Sequence, residues 1–531
     1  VQTCALPIFI RASSVMALGT IISRVTGFVR SILLVATLGT AILGDAFNVG
    51  NTMPNIIYNL LIGGALAAVF VPQIVRATRE QDGGNAYISA FVTAISSLLL
   101  GITVVMMFLA PVLVSIYAPT LDGRPREIAL SFTLLCLPQI FFYGLYGLLG
   151  QITNAKERFG PMMWAPIANN LVAIALLTYF LIRYPNLELS TITDKQVWIL
   201  GVGTTLGIVI QALVLLPYIR ATGMRLRPTL HWRGMGLRKT FNLGGWTLLS
   251  LVISQLGFLI TVNLATRAGV AAQENGILYG VGYTPYANAN LILLLPHSII
   301  AISVVTALLP QLSHLAADQN HIALQRQVRK ALRLIALPIV PAALFFLFFG
   351  PWISSALFLG IDAKSAHYLG LVLSAFALSA IPLAISLVGT RTLNAFENTK
   401  SQAGVNLVIN LVAVLFSLLS YRYLPAEQVT IGLALSFTVS YWIGVFLTDR
   451  QLSRYLGVHI LRSESPFYLR VFVVSALVTS ATWFIAQAID PARNIVALAL
   501  VFLSVIALYL AITRAMKIAE VSEILRLIRR R

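Results

Sequence analysis

Fourteen long apolar blocks, divided by polar or Pro/Gly-marked breaks, constrain this chain more than any other feature. They fall near residues 13–38, 45–75, 86–118, 127–153, 160–182, 196–219, 240–266, 276–312, 331–358, 365–395, 401–421, 428–449, 467–489 and 494–516. A hydrocarbon core about 30 Å thick takes about 20 apolar residues per helix, so each block is long enough to span. A transmembrane barrel would show short alternating strands, whereas these runs are continuous. Only 10% of the 531 residues are charged, against about 25% in soluble domains. The expected fold class is an all-α polytopic membrane protein with about 14 transmembrane helices. Pro54, Pro138, Pro296 and Pro382 lie inside spans and mark kink sites.

Of the 37 Lys and Arg residues, 26 fall in loops and tails on the side of the N-terminus and 8 on the other side; Arg24, Arg30 and Arg391 lie within spans. Excess Lys and Arg marks cytoplasmic loops, so both termini are expected in the cytoplasm. Loop anchoring also accounts for the net charge of +19, and no nucleic-acid partner is expected. Cys4 and Cys136 have no CxxC or ligand spacing, so no metal or redox cofactor is expected. There is no Ser/His/Asp array, HExxH or Walker lysine, and nothing supports an enzyme. Gly201 to Gly207 has the wrong spacing for a phosphate loop and reads as helix packing. Residues 1–8 match the translation of a sequencing adapter and read as an artefact rather than as part of the fold.

The chain repeats itself. Val71-Pro72-Gln73-Ile74 recurs as Leu309-Pro310-Gln311-Leu312, and Gln151-Ile152-Thr153-Asn154-Ala155 recurs loosely as Arg391-Thr392-Leu393-Asn394-Ala395. In both copies a short charged turn leads into an Asn-bearing helix, with Asn169 and Asn170 in one and Asn406 and Asn410 in the other. The period covers six helices, an even number, which predicts two six-helix lobes related by a pseudo-two-fold along the membrane normal, with two C-terminal helices added. The expected divisions are an N-lobe at 9–220, a basic linker at 221–239 and a C-lobe at 240–450. A second basic linker at 451–466, helices 13 and 14 at 467–516 and a basic tail at 517–531 follow.

Charges inside spans single out candidate binding residues. A buried arginine costs at least a few kcal/mol and so faces a cavity or partner, and guanidinium suits phosphate oxygens. Arg24 and Arg30 are six residues apart, about 240° on an ideal helix; Gly27 between them could relax the helix and turn both to one cavity. Asp45 opens the second span, where capping and substrate gating are both open readings. Asn48, Asn51, Asn55, Tyr58 and Asn59 form a polar stripe that lines a wet cavity or joins helices by hydrogen bonds. Arg267 reads as an interfacial anchor ending the seventh span, and Arg391 as anchor or cavity residue.

Ser23-Arg24-Val25-Thr26-Gly27-Phe28-Val29-Arg30, Gly44-Asp45-Ala46-Phe47, Met53-Pro54-Asn55 and Val69-Phe70-Val71-Pro72 resemble, in order and spacing, the MurJ (MviN) lipid II flippases. Asn154-Ala155-Lys156-Glu157-Arg158-Phe159 and Leu295-Pro296-His297-Ser298 through Leu308-Leu309-Pro310-Gln311-Leu312-Ser313 extend the resemblance to nearly the whole chain. It implies two lobes around a V-shaped cavity, with a lipid-tail groove formed with helices 13 and 14. The implied partner is lipid II, an undecaprenyl-diphosphate glycopeptide moved to the outer leaflet of a bacterial plasma membrane, with the surrounding membrane lipids as the other contacts. By the same resemblance Arg24 and Arg30 bind the diphosphate, Asp45 serves gating, and Ser23 and Gly27 shape the site. Many members carry Arg where this chain has Tyr58 and Leu291, and acid where it has Ser31 and Gly63; the wording from Asp45-Ala46-Phe47-Asn48 to Leu61-Ile62-Gly63-Gly64 looks more like the actinobacterial branch.

Three other readings stay open on sequence: a flippase for another polyprenyl-diphosphate glycan, a cation-driven drug exporter, and a non-transporting cell-wall scaffold. Topology is directly testable. Single cysteines at positions 230 and 460 should react only from the cytoplasmic side, and those at 190 and 425 only from outside. Labelling of position 230 from outside would reverse the orientation.

Overall fold

The computed structural model describes residues 2–61, 84–156, 158, 160–185, 187–224, 226–229, 237–396, 398–487, 495–518 and 520. The first copy of the repeat motif at Val71 to Ile74, Arg76, Arg79, Glu157 and the tail from 521 lie outside them. The chain divides into two compact units, Val1–Arg267 and Ala268–Arg531. The first contains α1 (Gln2–Leu38), α2 (Ile42–Leu61), α3 (Asn85–Phe108), α4 (Ala110–Tyr117), α5 (Gly123–Cys136), α6 (Gln139–Ala155), α7 (Gly160–Arg183), α8 (Asp194–Leu213) and α9 (Leu215–Arg220). Helix α10 (Leu237–Glu274) lies mostly within it. The second contains α11 (Tyr283–Pro296), a π turn (His297–Ala301), α12 (Ile302–Ala317), α13 (His321–Leu357), α14 (Ala363–Ala377), α15 (Ala380–Ala395), α16 (Thr399–Tyr423), α17 (Ala426–Leu456), α18 (Ile460–Gln487) and α19 (Ile495–Ala515).

The secondary structure of the described residues is helical, as lipid requires, because a helix bonds its own backbone groups. Twelve helical runs among the described residues are long and apolar enough to span, and the α14–α15 pair, bent by 44°, makes a thirteenth. These correspond to thirteen of the fourteen expected blocks. For the second block, α2 is the described part, and its continuation lies outside the described residues.

Each unit contains the same broken span. In the first, the Asp122 carboxylate accepts the Gly123 N–H at 2.8 Å, α5 runs to Cys136, and α6 restarts beyond Pro138, whose ring offers no amide. In the second, Asp362 accepts the Ser365 N–H at 2.9 Å, α14 runs to Ala377, and α15 restarts two residues before Pro382. Both broken spans end on Asn-Ala, at Asn154-Ala155 and Asn394-Ala395. The kink sites behave differently: Pro54 sits within an unbroken α2, and Pro296 is followed by the π turn.

Small residues set the close approaches. Gly201 meets Leu135 of α5, and Gly203 and Gly207 meet Leu176 and Asn169 of α7, so the glycine-rich stretch is a packing surface, as expected. At Gly207 even a methyl group would collide with the Asn169 amide oxygen.

One ion cluster docks α18 on α13. Glu464, 1% exposed, receives Arg333 through Nε at 2.6 Å and Nη2 at 3.4 Å, with Arg329 Nε at 3.7 Å. Arg333 also donates to Glu520 at 3.0 Å and lies 5.1 Å from the Phe467 ring centroid. Removing one partner of a buried pair strands the other. Glu464→Ala should therefore cost about 2–4 kcal/mol, more than the double change Arg333→Met with Glu464→Leu, as read by thermal unfolding of the purified protein.

Candidate functional site

Helix α1 carries both candidate arginines and is unbroken from Gln2 to Leu38. Gly27 therefore does not relax it; the residue has another use. Gly19 packs on Trp164 of α7, and a Cβ at Gly27 would lie 3.4 Å from the Asn170 amide nitrogen. Asn170 Nδ2 donates to the Ser23 carbonyl and to Thr26 Oγ1, both at 3.0 Å. Thr26 in turn donates to the Ile22 and Ser23 carbonyls at 2.9 and 3.1 Å. Gly19, Ser23, Thr26 and Gly27 thus form one face of α1, seated on α7 and fixed in rotation by an asparagine. Inside lipid such a polar grip holds because its alternative is an unmet amide.

That fixed face separates the two arginines. Arg24 is exposed, while Arg30 is half-buried on another side of the helix. Arg30 lies within electrostatic reach of the Tyr143 phenol of α6, which also forms a side-chain hydrogen bond with Asn55 of α2. The Tyr143 ring stacks on Tyr58 at 5.6 Å between centroids, and Tyr58 presses its hydroxyl against Gly147, where a Cβ would fill the space. Asn55 accepts from Asn59 Nδ2 at 2.7 Å. The Arg30 guanidinium, the Tyr143 phenol and the end of the polar stripe at Asn55, Tyr58 and Asn59 are therefore brought together from α1, α2 and α6. Within the stripe, Asn48 and Asn51 are half-buried and Asn55 is exposed.

Asp45 is 1% exposed and lies in the first turn of α2, with its amide donating to the Ala41 carbonyl at 3.0 Å. The helix begins at Ile42, three residues earlier than its sequence suggested, so Asp45 sits just inside it rather than at the capping position; its charge complements the helix dipole there. Arg267 does not end its span, because α10 continues to Glu274. Its Nε donates to Asn263 Oδ1 at 2.8 Å, and Asn263 Nδ2 donates to the Ile116 carbonyl at 2.6 Å, which ties α10 to α4. Arg391 is exposed on α15.

Tyr143 escaped the sequence reading. Its signal was a tyrosine pair, Tyr143 and Tyr146, three residues apart inside a span interrupted by Pro138. Polar-tipped rings at that spacing share a helix face.

Comparison with known proteins decides the family. The family model for lipid II flippase MurJ matches residues 34–510. The chain belongs to the MurJ family. Its relatives include the lipid II flippase MurJ of Burkholderia cenocepacia, 27% identical over 463 residues, covering 86% of this chain and 85% of that protein. The probable lipid II flippase MurJ of Haemophilus influenzae is 22% identical over 495 residues, covering 89% and 91%. Among solved structures, a lipid II flippase MurJ in an inward closed conformation superposes with a TM-score of 0.72 at 17% identity, covering 94% of this chain and 98% of that one. An inward-facing multidrug resistance transporter of the MATE family gives a TM-score of 0.64 at 16% identity, covering 83% and 98%. The fold is thus shared with these MurJ and MATE structures, and the chain is a multi-span membrane protein.

The grip of α7 on α1 is testable. Asn170→Leu should cost about 1 kcal/mol by losing two interhelical bonds, read as a lower unfolding midpoint in detergent. Asn170→Asp should destabilise more, because the lost donor is replaced by a charge.

Proposed function

We propose that the protein is a lipid II flippase that moves the undecaprenyl-diphosphate-linked peptidoglycan precursor from the inner to the outer leaflet of the plasma membrane by alternating access. The observation that carries the reading is the MurJ match, which runs through almost every span of the chain. Membership alone does not say which residues meet the lipid; physical chemistry supplies that part of the proposal.

A diphosphate crossing hydrocarbon needs cations and hydrogen-bond donors along its way. Arg30 lies within electrostatic reach of the Tyr143 phenol, which Asn55 hydrogen-bonds, and we assign Arg30 the diphosphate. Arg24, on the exposed side of α1, is assigned the first capture of the headgroup. Ser23 and Gly27 serve by seating α1 on α7, so that both arginines keep their directions. Asp45 is assigned to the gate, and the half-buried Asn48 and Asn51, with Asn55, to headgroup hydrogen bonds. Arg267 and Arg391 are secondary contacts. The orientation proposed from the loop charges, with both termini in the cytoplasm, puts the basic segments on the side where the lipid is made.

Complementation of a flippase-depleted bacterium, with lipid II measured in each leaflet, tests the reading. The wild-type chain should restore growth and outer-leaflet lipid II. Arg24→Ala should insert normally and fail, and Arg24→Lys should rescue partly, since an ammonium lacks the bidentate fork. Full activity of Arg24→Ala would remove its role in capturing the headgroup. Failure of the wild-type chain beside normal insertion would point to a different polyprenyl-diphosphate glycan.

A further inference from the structure

The span that begins with α11 is interrupted at its middle. After Pro296 the backbone widens into a π turn over His297–Ala301, closed by the Ile302 N–H reaching back five residues to the His297 carbonyl. The turn packs among α11, α12, α13 and α15. His297 opens it and is only 8% exposed, and among the described residues its Nδ1 has no hydrogen-bond partner. A buried polar atom left unpaired is uncommon and asks for an explanation. π turns within longer helices concentrate at functional positions.

The surroundings define what the ring can do. The titratable groups on the four packed helices are Tyr283 and Tyr286 on α11, His314 on α12, His321 and four cations on α13 (Arg326, Arg329, Lys330, Arg333) and Arg391 on α15. The α13 groups lie in its first four turns, and two of them, Arg329 and Arg333, face Glu464. None of the four helices carries a carboxylate. Whichever ring nitrogen holds the hydrogen, a neutral imidazole keeps one lone pair that can take a proton. In this packing the resulting imidazolium would have no anion on any helix around it, so protonation and burial exclude one another.

We propose that His297 is a proton-operated switch in the second unit, buried and neutral with the π turn formed and protonated when the turn relaxes and the ring reaches water. Returning the turn to α register rotates the helix on one side by about 100° relative to the other, enough to carry the ring out of its packing. In the step itself, a ring nitrogen takes one proton from hydronium, an N–H bond forms and water is released; the proton returns to water when the ring is buried again. The switch makes conformational exchange depend on pH. The switch rests on the flippase reading only where transport is the readout.

Two measurements test it. In proteoliposomes containing lipid II, wild-type flipping should rise about fivefold or more between about pH 8 and about pH 5.5, the range in which an ordinary imidazole charges. His297→Gln and His297→Asn should flip at a rate that varies less than about twofold over that range. A pH dependence in these variants equal to wild type would overturn the proposal. The second measurement needs no lipid: amide hydrogen exchange of the segment 293–305, normalised to the intrinsic rate at each pH. Exchange should accelerate at acid pH in the wild type and not in either variant, and equal behaviour of the three proteins refutes the switch. Should no protein move lipid II while exchange behaves as expected, the flippase reading fails and the switch stands.

Discussion

A cation can be kept in a hydrocarbon slab only where polar groups surround it and the backbone that carries it is held in direction. Here the holding is done by the Asn170 amide on α1. Two hydrogen bonds and the closeness allowed by Gly19 and Gly27 fix the rotation of a helix that has no kink of its own. From that rotation follow the exposed position of Arg24 and the inward position of Arg30 beside Tyr143. A small residue at position 27 is thus required for packing, and through packing for the direction of two charges.

Much of the architecture was legible because hydropathy and turn chemistry are local. The span positions and the packing use of Gly201 to Gly207 both follow from residues close in sequence. What was not legible depended on partners far along the chain. Nothing near Arg267 says that α10 continues to Glu274, because its exposed-looking cation is held by Asn263, itself tied to Ile116. The helical period correctly placed Arg24 and Arg30 on different faces, but which face turns inward is decided by Asn170, more than a hundred residues away. The π turn after Pro296 likewise carries no sequence period of its own.

The second unit shows the same physics at a different place. Glu464 is buried because two guanidinium groups replace the water it loses. His297 is buried without such company. The contrast separates a charge that holds helices together from a group whose charge would push them apart. A transporter needs both, since one part must stay docked while another moves.

The central claim is that Arg30, within its polar cluster, holds the diphosphate of lipid II. The most direct measurement is equilibrium binding of lipid II to the purified protein in nanodiscs, comparing wild type with Arg30→Ala and with Arg391→Ala at a secondary contact. The account predicts that Arg30→Ala weakens binding about tenfold or more, about 1.4 kcal/mol, while Arg391→Ala changes it much less. Equal affinities for wild type and Arg30→Ala, in protein of unchanged stability, would contradict it.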